Sequence, residues 1–248
     1  MNAPGAPLVC HILLIESADR LILVDTGFGL ADIAHPWRRI GAYHKVLRPV
    51  LAEEQTAVRQ MEKLGFNPRD VRDIVLTHGD SDHAGGLSDF PWATVHVSTT
   101  EEYAITQRPT WFERQRYNKH QWAHRPRIVG HAPKGEEWRG FTGLTPLDDL
   151  APGLFFIPMP GHSRGHSAVG ISDGSREVLH AGDSFYQRDT LIGGEGVPLF
   201  LKLQEAAFAQ DRAALWENQR RLRTLVDDPS VLLINSHDPE LLRTALAG

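Results

Sequence analysis

The sequence predicts a layered α/β protein. Three observations carry that prediction: short apolar runs bounded by turn residues in both halves, amphipathic helical stretches between them, and a length of 248 residues, which can bury a sizeable core. Leu8 to Ile15 and Leu21 to Val24 are expected to be adjacent strands, with "ESADR" as the turn between them. Glu53 to Leu64 reads as a helix with Ala57, Val58, Met61 and Leu64 on one face. A strand follows at Asp73 to Thr77 and another at Thr94 to Val97. Leu154 to Ile157, Ser167 to Ile171 and Glu177 to His180 are strands of the second half. Asp211 caps a helix that runs to about Val226 and turns Leu215, Leu222, Leu225 and Val226 inward. Val231 to Ile234 is a last strand, and Pro239 to Leu246 the closing helix.

Segments 28–50, 103–140 and 186–206 resist assignment. Loops of that length in a compact domain usually serve as lids or binding loops. The middle one carries Tyr103, Trp111, Phe112, Tyr117, Trp122 and Trp138, which are expected either to wall a pocket or to form a local core beneath the loop.

Composition excludes several classes of function. The net charge of −5 leaves no basic surplus to neutralise phosphates, so no nucleic-acid partner is expected. A single cysteine, Cys10, rules out an intrachain disulfide and a cysteine-rich metal site, and reads as a core thiol. The N-terminus "MNAPGAPLVC" lacks the pattern of a signal peptide, and no run of about 18 apolar residues offers a membrane span. The cytoplasm is the expected compartment, and a small molecule the expected partner; the oligomeric state is not legible.

The chemistry is concentrated in "LTHGDSDHAGG", where His78, Asp80, Asp82 and His83 follow an apolar strand. Imidazoles and carboxylates in this density suit zinc, manganese or iron. Three further patches repeat the arrangement of a strand end, a turn and a polar side chain. They are "PMPGHSRGH" with His162, "VLHAGDSFY" with Asp183 and "VLLINSHDPE" with His237. Ligands of α/β sheets gather at the C-terminal ends of strands.

Together with "LVDTGFG" around Asp25, these patches give the chain a resemblance to metallo-β-lactamase superfamily hydrolases, over nearly its whole length and in the same motif order. The resemblance implies an αββα four-layer sandwich forming a single domain over 1–248, with two similar halves and a dinuclear metal site. It implies that His78, Asp80 and His162 hold one divalent ion, that Asp82, His83 and His237 hold the other, and that Asp183 bridges them. Asp25 would stand behind the ligands, as would His166, and His180 reads as a buried structural histidine. One position departs from the family's His-x-His-x-Asp-His signature: Asp80 stands where the second histidine is common. Three carboxylates and a bridging hydroxide would neutralise two divalent ions, whereas a histidine at position 80 would leave one net positive charge. On this reading zinc is the leading metal, the harder oxygen ligand tilts the choice toward manganese or iron relative to a histidine site, and Asp80→His should bind zinc at least as well as the natural chain.

The activity implied is metal-dependent hydrolysis of a small ester or lactone by a metal-bound hydroxide, with Asp82 orienting that hydroxide and moving its proton. Tyr186 lies three residues after Asp183, the offset at which acyl-homoserine lactonases of the superfamily place a tyrosine over the metals. Packing beneath the 186–206 segment is its alternative role. Ser163 and Ser184 lie beside ligands but lack a nucleophile elbow. Two other activities compete. One is thioester hydrolysis of the hydroxyacylglutathione type, for which Arg114, Arg116 and Lys119 would supply a basic cluster. The other is iron-dependent redox chemistry.

Overall fold

Leu21, Ile22, Leu23 and Val24 are all buried, the pattern of a central strand covered on both faces. They belong to the first of two compact units in this computed structural model, Met1–Val97 with Glu102–Gly130; the second is Ser98–Glu101 with His131–Gly248. The structure describes residues 2–3, 6–172, 174, 176–193 and 196–247.

The sheet of the first unit contains β1 (Leu13–Glu16), β2 (Leu21–Val24), β3 (Val71–Val75), β4 (Thr94–Ser98) and β5 (Arg127–His131), in that order across the sheet. β1 and β2 form an antiparallel hairpin, with Leu13 opposite Val24 and Glu16 opposite Leu21. β2, β3 and β4 run parallel. The C-terminal ends of β2 and β3 therefore lie side by side, and the Asp25 amide donates to the Val75 carbonyl at 3.0 Å. That register sets Asp25 beside Thr77. The helix Ala57–Lys63 presses Ala57, Val58 and Met61 into a core shared with Leu23, Ile74, Leu76 and Val95. It ends one residue short of the sequence reading. Leu64 caps it, ahead of Gly65 in the left-handed region, and is 71% exposed rather than inward.

The sheet of the second unit contains β6 (Glu136–Trp138), β7 (Phe141–Pro146), β8 (Leu154–Pro158), β9 (Ser167–Ser172), β10 (Glu177–His180) and β11 (Val231–Ile234), ordered β11-β10-β9-β8-β7-β6. All neighbours are antiparallel except β10 and β11, which are parallel and paired from Glu177↔Val231 to His180↔Ile234. Their crossover includes the helices Arg188–Ile192, Leu199–Phe208 and Arg212–Leu222. The last is capped as expected, the Asp211 carboxylate accepting from the Ala214 amide at 3.0 Å, and its Leu215 and Leu222 are buried.

The segments that resisted assignment hold short elements. Segment 28–50 folds as three helices of four or five residues, Leu30–Ala34, Pro36–Arg39 and Tyr43–Leu47. Less than two turns leaves too little periodicity to read. Segment 103–140 holds most of the helix Thr99–Gln107, the helix Trp111–Arg116, β5 and β6. Its aromatics divide. Tyr117 is fully buried in the first core, Trp138 stacks on Phe141 and Phe155 in the second unit, and Trp111 is 69% exposed. Among the described residues no helix is long and apolar enough to cross a membrane.

Candidate metal centre

β3 delivers His78, Asp80, Asp82 and His83 in one short excursion: an extended step, then the helix Ser81–Ala84. Two kinds of close approach fix this path. A Cβ on Gly79 would lie 2.6 Å from the Ile105 side chain and 3.1 Å from Tyr117, so any larger residue between His78 and Asp80 would have to displace those side chains. A Cβ on Gly85 would lie 2.1 Å from the Asp32 carboxylate, and one on Gly86 2.7 Å from the Thr26 carbonyl. The glycines after His83 thus serve close packing onto the segment that follows β2.

That segment carries Asp25, whose φ of 58° is unusual for a residue with a side chain and is tolerated best by Asp and Asn among them. The strain is offset by three hydrogen bonds. Asp25 Oδ1 accepts from the Thr77 amide at 2.8 Å; Oδ2 accepts from the Thr77 hydroxyl at 2.8 Å and pairs with His83 Nδ1 at 2.8 Å. The same hydroxyl lies 3.0 Å from His78 Nδ1. Because its proton is given to Asp25, the Thr77 oxygen can only accept from His78, so His78 carries its proton on Nδ1. His83 likewise donates from Nδ1 to the carboxylate. Both imidazoles are therefore set with Nε2 as the lone-pair nitrogen, the tautomer a metal requires. Their rings stand 4.0 Å apart.

The carboxylates differ from one another. Asp82 is buried, with Oδ1 at 3.8 Å from His83 Nε2 and a carboxylate oxygen within 4.8 Å of the Cys10 sulfur. Cys10 is thus half-buried beside a candidate ligand, not the core thiol expected from the sequence. Asp80 is gripped by Arg116, whose Nε donates to Oδ1 and whose Nη2 donates to Oδ2, both at 2.6 Å. Asp80 Oδ2 still lies 3.3 Å from His78 Nε2.

In the second unit the donors arrive from separate strand ends. β8 leads through Pro160 and Gly161 to His162; Gly161 has φ 140°, and a Cβ there would meet the Leu215 amide nitrogen at 2.4 Å. The Pro160 carbonyl accepts from Asn218, and the Gly161 carbonyl from the Asp211 amide, so the capped helix holds this loop. β10 and β11 end together: the Ala181 amide donates to Ile234 and the Ser236 amide to Gly182, which brings Asp183 and His237 side by side. Asp183 Oδ2 lies 3.0 Å from His237 Nε2 and 3.4 Å from His162 Nε2. His166 supports the set from behind. Its Nδ1 donates to the Met159 carbonyl at 3.0 Å while Nε2 accepts from the Asp183 amide at 2.9 Å. His180 is fully buried, its Nδ1 accepting from the Gly182 amide.

Tyr186 is buried, its ring edge-on to His237 at 5.1 Å and to His162 at 6.2 Å. The Tyr186 amide donates to Glu205, a carboxyl that burial pushes up to about 7. Ser163 donates to Glu101, and Ser184 contacts the Met159 sulfur, so both hydroxyls have structural partners. Arg116, Thr77, Glu101 and Glu205 carried no sequence signal for these roles; only the pairing of β2 with β3 could have pointed to Thr77.

The donor chemistry fits divalent metal. Two donors at about 2.0–2.2 Å from one tetrahedral ion stand about 3.3–3.6 Å apart, a range that includes the 3.3 Å of His78 with Asp80 and the 3.4 Å of His162 with Asp183.

Comparison with known proteins agrees. The profile of the metallo-beta-lactamase superfamily matches residues 5–237. A protein of Mycobacterium tuberculosis named "probable metallo-hydrolase" is 47% identical over 247 residues, covering 99% of this chain and 79% of its own length. The N-acyl homoserine lactonase AttM of Rhizobium radiobacter is 28% identical over 222 residues, 88% of this chain and 77% of its own. Among solved structures, a quorum-quenching N-acyl homoserine lactone lactonase superposes with a TM-score of 0.62 at 23% identity, covering 96% of this chain and 82% of its own. The dizinc quorum-quenching lactonase AidC does so with 0.62 at 20% identity, covering 94% and 73%.

Proposed function

The chain belongs to the metallo-beta-lactamase superfamily, and from that premise we propose that it is a lactonase-like hydrolase whose metal ligands are His78, Asp80, Asp82, His83, His162, Asp183 and His237, binding two divalent ions, zinc first among them. The observation that carries this reading is the pair of Nδ1 contacts in the first unit, which sets the tautomer of both histidines. His78 and His83 are each tied through Nδ1 into the Asp25–Thr77 pair, which leaves Nε2 on both as a lone-pair donor. A histidine with only a packing role has no need of that arrangement. Bound metal supplies a water acidified to near neutral pH and a Lewis acid for the carbonyl oxygen. The chain's own groups do the rest. Asp82 is the acidic group proposed to take the water's proton, and Tyr186 a hydroxyl donor to the carbonyl oxygen as charge develops there. The lactone as substrate rests on the relatives named N-acyl homoserine lactonases. Thioester hydrolysis loses its main support, because Arg116 is engaged by Asp80 and Arg114 donates to the Arg108 and Pro109 carbonyls.

Elemental analysis of gently purified protein, joined to steady-state kinetics on lactones, thioesters and phosphodiesters, tests the proposal. About two metals per chain and chelator-sensitive lactone turnover are expected. Tyr186→Phe, which removes only the hydroxyl, should lower kcat on lactones about tenfold to a hundredfold with metal content unchanged. Turnover confined to glutathione thioesters would overturn the substrate assignment. Oxygen uptake by an iron-loaded protein inert to all esters would overturn hydrolysis.

A further inference from the structure

We propose that Asp80 and Arg116 are a matched pair: Arg116 is the positioning residue that fixes both oxygens of Asp80 and supplies the positive charge that a carboxylate at this position takes away. The inference rests on the ligand role given to Asp80 above and extends it to a residue outside the ligand set.

Geometry carries it. Both Asp80 oxygens accept from the planar guanidinium at 2.6 Å, the fork arrangement in which an arginine orients a carboxylate as well as neutralising it. The side chain of Arg116 is 3% exposed and that of Asp80 15%, so water does little to screen the pair. Guanidinium does not deprotonate in proteins, so this buried charge is always present and always needs its partner. The fork leaves Asp80 Oδ2 at 3.3 Å from His78 Nε2, the separation expected of two donors on one ion. Arg116 therefore aims the carboxylate and leaves it a ligand.

The backbone makes the same connection. Arg116 ends the helix Trp111–Arg116, whose start is fixed by a reciprocal cap between Thr110 and Glu113. The next residue, Tyr117, is fully buried, and its ring closes on Gly79, where a Cβ would lie 3.1 Å from it. Adjacent residues 116 and 117 thus grip adjacent residues 80 and 79, one by charge and the other by shape. The expectation that Asp80→His would bind zinc at least as well as the natural chain reverses accordingly. The imidazole would face the guanidinium in place of the carboxylate that accepts from both its Nε and Nη2.

The test is a double-mutant cycle of the natural chain, Asp80→His, Arg116→Met and the combined variant. Zinc affinity is read by competition with a chromophoric chelator, and melting temperature on metal-stripped protein. Each single variant should lose about tenfold to a hundredfold in zinc affinity, the usual cost of removing a partner that orients a ligand. The combined variant should return to within about threefold of the natural chain, since contacting partners are non-additive. The metal-free melts should follow the same pattern. Losses that multiply in the combined variant, or an Asp80→His protein that binds zinc as well as the natural chain, would overturn the pairing. Should Asp80→His fail to fold, Arg116→Lys carries the test, because lysine keeps the charge and loses the fork. About a tenfold fall in affinity with little change in melting is expected, and unchanged affinity would refute the positioning role. A natural chain that binds zinc but hydrolyses no lactone would sink the proposed substrate alone, because neither readout of the cycle involves turnover.

Discussion

The two units build their donors in opposite ways. In the first, four donors lie within six residues, and each histidine is braced from behind by a residue that is not itself a donor to metal: His83 by Asp25, and His78 by the adjacent Thr77, whose hydroxyl donates to Asp25. In the second, three donors come from three strand ends, and both histidines converge on one oxygen of Asp183. Here the sheet itself is the template, since parallel β10 and β11 end in register and deliver Asp183 and His237 together. A clustered motif gains proximity from the chain and must import its orientation. A dispersed set gains orientation from the sheet and depends on the single group where its members meet.

That difference predicts unequal damage. Asp183→Ala should be the most severe single change, lowering metal affinity and turnover at least about a hundredfold, because two histidines lose their shared partner. Asp82→Ala removes a carboxylate from a set with other donors close by, and should cost less. Chelator competition and elemental analysis on both variants decide the matter. Equal losses would break the contrast between a shared and a distributed centre.

The second effect falls in the first unit. Asp25→Asn keeps the size of the side chain and its tolerance of a positive φ, and turns one acceptor into a donor. An amide facing Thr77 and His83 would force His83 to accept on Nδ1 and move its proton to Nε2, where it blocks a metal. Metal affinity should fall by about tenfold to a hundredfold with the fold intact. Nitrogen NMR of the metal-free histidines reads the tautomer directly, and an unchanged His83 tautomer would remove the bracing role from Asp25.

The same contrast governs what was legible in the sequence. The fold class and most strands could be read because their apolar runs are buried as such: β2, β10 and β11 lie where Leu21 to Val24, Glu177 to His180 and Val231 to Ile234 placed them. The donors at strand ends were legible for the same reason, since a turn residue marks where the sheet stops. Their partners were not. Arg116 and Glu205 sit on helices with no periodic or motif signal, and meet Asp80 and the Tyr186 amide through tertiary packing alone. The early strand begins at Leu13 rather than Leu8, because the apolar run starts ahead of the first residue that pairs in register with β2. Segment 28–50 hid Asp32 and Arg39, a fully buried carboxylate and a buried guanidinium joined at 2.7 Å. Paired charges of this kind look like surface residues until the fold is known.

The smallest effect sharpens the comparison away from the donors, at Asp89 in the first unit. Burial, with repulsion from Asp32 adding to it, pushes this carboxyl up to about 6, against an ordinary 3.8, although the Leu30 amide donates to it and Arg39 and Arg59 pull the other way. A carboxyl raised on folding binds its proton more tightly in the folded chain. Its contribution to stability is complete below about pH 3.8 and is lost as pH rises through about 6. Asp89→Asn cannot ionise, and its amide oxygen can still accept from Leu30. The melting temperature of the natural chain should therefore fall relative to that of Asp89→Asn as pH goes from about 4 to about 7. A rise from 3.8 to about 6 corresponds to about 3 kcal/mol, and solvent at this half-buried site reduces that to roughly 1–2 kcal/mol. For a chain of this size the two melting temperatures should diverge by about 2–8 °C. Metal-stripped protein is the sample, so that donor occupancy does not vary with pH. A constant difference across that range would show that Asp89 ionises as freely in the folded chain as in the unfolded one.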